Sequence, residues 1–276
     1  MMGRNIYWLL QALMICMLTD CSSQPVQEST LKIPIGDEML EMVEVAGGTF
    51  WMGCTKGQGC YCEEIERPAH EESVDTFYLG KYEVTHKLWK AVIGSHHPSF
   101  SQATGEECPV THVSWKDAQF FIDRLKIQTG RYFRLPSEVE WEYAARGGNR
   151  SKDYKFSGSD RLDEVGWYEE NMEGMTGPRP VGLKKSNELG IYDMSGNVWE
   201  WCDDVYQHDY FQHGKRISSD WPFQGVQLHF RRIIRGGSWG GTAFGCRVSY
   251  IDYDTDGYRD EYGGFRLALD KDSIHE

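Results

Sequence analysis

Asp193 and Glu200 are the two residues of this sequence best placed to act together. Between them lies Ser195-Gly196-Asn197, which reads as a tight turn because glycine and asparagine adopt positive φ cheaply. The two carboxylates, with the main-chain carbonyls of Gly196 and Val198 between them, make a set of hard oxygen donors that suits calcium. Trp199 and Trp201 alternate with Glu200, the spacing of a strand with both indoles on one face and the carboxylate on the other. The same residues also describe a tryptophan-lined core strand with a solvated acidic rim. Spacing alone leaves both readings open.

The cysteines are the second candidate. Cys54, Cys60 and Cys62 crowd one stretch, and their spacing is not a standard zinc pattern. In an exported chain such a cluster points to disulfides, with Cys108 among the possible partners and no pairing fixed by sequence. His208, His213 and His229 lie in an aromatic stretch without tight ligand spacing, which points to a loop surface.

These groups need a scaffold. A chain of 276 residues can bury a substantial core, and a net charge of −13 argues against nucleic acid as a partner. With 30 glycines and 10 tryptophans, the composition describes a loop-rich fold with glycine turns and an aromatic core. Residues 1–20 carry a short polar entry and then an apolar run from Ile6 to Leu18, the length of a signal peptide core. An uncleaved anchor is the other reading of that run. Cys21 follows, in the position of a lipidated first residue, although Asp20 stands where a small residue is usual. Residues 21–40 are polar and read as a tether, leaving 41–272 as one domain.

Within the domain, Met42–Cys54 reads as a hairpin around Gly47-Gly48. Thr85, Ser114 and Ser137 each stand at the start of a helix, and Gly94 stops the first. The acidic residues of these helices read as capping and surface groups. After Gly148 the periodicity stops, so long ordered loops are expected there. Short strands between glycine turns fit the final block, where Arg235 and Arg266 either pair with the acids above or stay solvated.

Taken in order, the motifs Gly47-Gly48-Thr49-Phe50-Trp51-Met52-Gly53, Glu83-Val84-Thr85, Arg134-Leu135-Pro136-Ser137-Glu138, Gly196-Asn197-Val198-Trp199-Glu200-Trp201, Arg235-Gly236-Gly237-Ser238-Trp239 and Gly264-Phe265-Arg266 resemble the formylglycine-generating enzyme, or sulfatase-modifying factor, family. The resemblance implies an α+β, loop-rich formylglycine-generating-enzyme fold, distantly C-type-lectin-like. It also implies structural calcium, held by the side chains of Asp193 and Glu200 and the carbonyls of Gly196 and Val198.

Active members of the family oxidise a sulfatase cysteine to formylglycine with dioxygen and copper(I), a soft ion held by two cysteines. Here the second of those cysteines matches Cys246, with Ser238 as the neighbouring serine, but the first falls on Gly241. Copper is therefore not expected, and Cys202 is expected to pair with Cys246 in a disulfide or to stay a buried thiol. The chain reads as an exported, non-catalytic binding or scaffold lipoprotein, periplasmic or at the cell surface and lipid-anchored to the outer membrane. Its expected partner is an envelope protein or a glycan. The alternative is a formylglycine-generating oxidase acting on a sulfatase peptide, with Cys246 and Ser238 as the catalytic pair.

Overall fold

A computed structural model describes residues 30–97, 99, 105–206 and 230–274. The expected signal segment, Cys21, the first part of the tether, and His208, His213 and His229 lie outside the described residues.

In chain order the strands and longer helices are β1 (Thr30–Ile35), β2 (Glu38–Val45), β3 (Gly48–Met52), β4 (His70–Val74), β5 (Phe77–Gly80), α1 (His86–Ile93), α2 (Trp115–Thr129), β6 (Phe133–Arg134), α3 (Glu138–Ala145), α4 (Leu162–Val165), β7 (Trp199–Val205), β8 (Arg231–Arg235), β9 (Ile251–Thr255), β10 (Gly263–Gly264) and β11 (Ala268–Asp270). They form a five-stranded sheet in the order β1-β2-β5-β11-β6, a four-stranded sheet β10-β7-β8-β9, and the pair β3-β4. The first sheet brings the two ends of the domain together, since β11 pairs antiparallel with β5.

Side-chain alternation explains how the large sheet is covered on both faces. In β2, Met42 enters one core with Trp89, Phe121 and Leu125 of α1 and α2, while its neighbour Val43 enters a second core with Trp141, Tyr143 and Cys202. α2 buries Ala118, Phe121, Ile122 and Leu125 at helical spacing. Its start is a reciprocal capping box between Ser114 and Asp117, and Gly130 at φ +72° ends it. Ser137 and Glu140 box the start of α3 in the same way, and Thr85 caps α1.

Four expectations are corrected here. Residues 30–40, read as tether, supply β1 and the start of β2, whose register runs from Thr30↔Val43 to Ile35↔Glu38. The segment around Gly47-Gly48 is not a hairpin, because β2 and β3 belong to different sheets. Gly47 carries the chain between them against the 74–76 backbone, where an added Cβ would lie 2.6 Å from the Val74 carbonyl oxygen. The acids of α3 are not all capping or surface groups: Glu140 caps, but Glu138 and Glu142 are buried. Among the described cysteines, Cys54 pairs with Cys62 within one loop, Cys108 is buried, and Cys202 and Cys246 are free and buried. Of the two readings of Cys202, the buried thiol holds and the disulfide with Cys246 does not, because the two sulfurs sit in separate apolar clusters.

The long loops were legible. Between Arg150 and Trp199 the described chain holds helical turns of four residues or fewer and no strand.

Candidate functional site

The turn before β7 is held in left-handed backbone at Asp193 (φ +58°), Gly196 (φ +87°) and Asn197 (φ +65°). Gly196 is required twice over. Its φ suits glycine, and any Cβ there would overlap the Trp167 carbonyl oxygen. Asn197 locks the turn: its Nδ2 donates to Glu83 Oε2 at 2.7 Å, and its Oδ1 accepts from the Arg179 N–H at 2.9 Å. Glu83 Oε1 also accepts from the Val198 N–H at 3.2 Å.

Glu200 is buried, not part of a solvated rim. It accepts from Trp141 Nε1 at 2.7 Å and from Arg266 at two points, Nε at 2.6 Å and Nη2 at 2.7 Å. Asp193 Oδ2 accepts from the Gly182 N–H at 2.7 Å, whereas its buried Oδ1 has no hydrogen-bond partner. Three buried carboxylates, Glu83, Asp193 and Glu200, thus share one guanidinium, Arg266. Burial pushes the Glu83 carboxyl well above its ordinary value, and the charges of Asp193 and Glu200 push the same way. Burial lifts Asp193 to about 6, against the pull of the Gly182 N–H and Arg266.

The site therefore has an excess of buried negative charge and one unpartnered oxygen, features a divalent cation would satisfy. Among the described residues no three His, Cys, Asp or Glu side chains converge into a metal-holding group. A cation here would need main-chain oxygens as well as Asp193, since both Glu200 oxygens already accept from Arg266.

Arg235 and Arg266, read from sequence as paired or solvated, are paired and fully buried. Arg235 meets Glu142 of α3, which also accepts from Arg146 Nε at 2.8 Å and from the Gly53 N–H at 2.7 Å. The sequence did not single out Glu66 or Ser249. Both buried oxygens of Glu66 take the Arg247 guanidinium, at 2.8 and 2.7 Å, and Ser249 Oγ donates to Glu66 at 2.5 Å. Nothing in their spacing, 181 residues apart in the first pair, announces the contact.

Cys246 is buried, and burial pushes its thiol up to about 12, opposed by a hydrogen bond from the Ser238 main chain. Gly241 also abuts Ser238: a Cβ there would lie 3.5 Å from Ser238 Oγ and 3.6 Å from the Ser238 nitrogen. The structure thus brings Ser238, Gly241 and Cys246 together, with sulfur from Cys246 alone. Copper(I), which takes soft sulfur ligands, does not fit this donor set.

The fold and site define a loop-rich α+β domain whose core is stitched by buried acid–guanidinium pairs, with the formylglycine-generating-enzyme architecture and its distant C-type-lectin likeness. Residues 32–271 match the Sulfatase-modifying factor enzyme 1-like domain, and the chain belongs to that family. It is 33% identical over 240 residues to the chaperone protein LppX of Paenibacillus barcinonensis, covering 69% of this chain and 79% of that one. It is 32% identical over 204 residues to the formylglycine-generating enzyme of Streptomyces coelicolor, covering 67% of this chain and 61% of the enzyme. The solved structure of Treponema denticola variable protein 1 superposes with a TM-score of 0.69 at 27% identity, covering 90% of this chain and all of that one.

Proposed function

We propose that this chain is a non-catalytic member of the sulfatase-modifying factor family, an exported binding or scaffold lipoprotein of the cell envelope. The observation that carries the reading is Gly241, which leaves Ser238 and the buried Cys246 without a second sulfur. One thiol supplies only half of the two-sulfur coordination that holds copper(I), a soft cation, in the family. Likeness to a protein named as a chaperone supports a binding role. The partner in this reading is an envelope protein or a glycan, and Cys21 carries a lipid anchor to the outer membrane. Calcium at Asp193, Gly196, Val198 and Glu200 is its structural ion, supported by the unpartnered Asp193 Oδ1.

Likeness to the Streptomyces coelicolor enzyme favours the second reading, an oxidase acting on a sulfatase peptide. One assay separates the two. The chain is incubated with a Cys-x-Pro-x-Arg peptide, copper and a reductant, and the aldehyde is sought by mass spectrometry. No conversion is expected. Turnover that disappears in Cys246→Ala would establish the oxidase instead.

A further inference from the structure

The connection from β3 to β4 carries Cys54, Cys60 and Cys62, and the structure gives them different roles. Cys54 and Cys62 are bonded, while Cys60 is a free, exposed thiol. The two bonded sulfurs are chemically unlike. Arg247 Nη1 donates toward Cys62 Sγ at 3.6 Å, and that guanidinium is fixed from behind by both oxygens of buried Glu66. Cys54 Sγ faces the Gly59 carbonyl oxygen instead, at 3.9 Å. In thiol–disulfide exchange the sulfur that leaves most readily is the one whose departing charge is best stabilised. An N–H of a guanidinium stabilises a thiolate, and a carbonyl oxygen does not. Cys62 is therefore the leaving sulfur and Cys54 the attacked one.

A cavity adjoins this loop on the side of Cys60 and Arg247. Cys60, Tyr61, Phe156, Ala243, Phe244 and Arg247 line this cavity, of about 470 Å³. Tyr61 is 80% exposed and Phe244 37%.

We propose that this loop is a thiol–disulfide exchange site for cysteine-bearing peptide segments with aromatic or aliphatic neighbours. An incoming thiol gives its proton to water, and its sulfur bonds to Cys54 Sγ. The Cys54–Cys62 bond breaks, and its electron pair leaves on Cys62 Sγ beside Arg247. Cys60, two residues from Cys62, then attacks Cys54, forming a Cys54–Cys60 disulfide and returning the incoming thiol. Where the segment carries a second thiol, that thiol attacks its own mixed-disulfide sulfur instead. The segment leaves oxidised, and Cys54 and Cys62 remain as thiols, so the protein's disulfide is the oxidant consumed. The apolar cavity favours such segments over small hydrophilic thiols.

The test uses the full oxidised chain and a decapeptide with one cysteine between two phenylalanines, against glutathione at equal thiol concentration. Samples are quenched with N-ethylmaleimide and mapped by mass spectrometry. In Cys60→Ser, a change at an exposed position, the peptide is expected on Cys54 with Cys62 alkylated, forming at least tenfold faster than the glutathione adduct. Wild type is expected to show a Cys54–Cys60 bond with Cys62 alkylated. Tyr61→Ala is expected to reduce the peptide's advantage to less than threefold. Attachment to Cys62, or a peptide rate no greater than that of glutathione, would overturn the proposal.

Discussion

Arg266 and Glu200 form a two-point ion pair sealed from solvent, Nε–Oε2 at 2.6 Å and Nη2–Oε1 at 2.7 Å. The same guanidinium donates to the Gly80 and Tyr192 carbonyls, so it ties β5, the central turn and β7 at one point. Removing one member of a buried pair leaves the other charge without compensation, at a cost of about 3–5 kcal/mol. Arg266→Ala is therefore expected to lower the melting temperature by roughly 10 °C, given ~2–4 °C per kcal/mol for a domain of this size. Calorimetry checks this. A loss of a degree or two would mean that solvent reaches the pair.

How much of this was legible beforehand depends on the range of the interaction. Caps are local, so Ser114 with Asp117 and Ser137 with Glu140 were readable from positions three apart. The turn at Gly196-Asn197 was readable because few residues accept its backbone. The arginine partners were not, since Glu142 and Arg235 meet across 93 residues and nothing local distinguishes a buried acid from an exposed one. The β2–β3 break was missed because a two-glycine link serves a hairpin and a crossing between sheets equally well. Gly166 looked unremarkable in sequence, yet a Cβ there would overlap the Ser195 carbonyl oxygen, which makes it part of the central turn. In the candidate site, Asp193 and Glu200 were visible as types and spacing. Glu83 appeared only as part of a motif, since its place beside Asn197 comes from a contact 114 residues away.

His86 gives the fold an acid-side weakness. It is 1% exposed at the start of α1, and burial, with lesser repulsion from His97 and His96, lowers its value from 6.5 to about 4. Between those two values the unfolded chain holds a proton that the folded chain lacks, so stability rises with pH across that window and is lost on acidification. The loss is at most about 3 kcal/mol, complete below the folded value. A ring-proton NMR titration of His86 is expected to show a midpoint near 4. A midpoint at 6 or above would show that the imidazole is hydrated.

Position 241 decides the copper question by addition as well as by absence. Gly241 has no close backbone obstacle to a side chain, its nearest neighbour being the Ser238 oxygen at 3.4 Å from an added Cβ. Gly241→Cys is expected to fold and to set a second thiol beside Ser238, close to Cys246. The variant is expected to bind copper(I) in two-sulfur coordination by X-ray absorption, where wild type does not, and the double change Gly241→Cys with Cys246→Ala is expected to lose it. Tight two-sulfur uptake by wild type would contradict the non-catalytic reading directly.

Asp193 carries the calcium test, because its Oδ1 is buried without a partner while both Glu200 oxygens already accept from Arg266. If an ion seats there, it binds the native state alone and stabilises it by about 2.7 kcal/mol at a hundredfold excess over its dissociation constant. Chelation is then expected to lower the melting temperature by several degrees, and added calcium to restore it. Asp193→Ala is expected to erase that response whatever it does to the starting stability, so the readout is the difference between calcium-loaded and chelated samples. Asp272→Ala, in the turn after β11 and outside the cluster's hydrogen bonds, is expected to keep the response. Equal melting temperatures with and without chelator in wild type, together with no heat of calcium binding, would leave the cluster of Glu83, Asp193, Glu200 and Arg266 as a charge network balanced by protonation instead of by an ion.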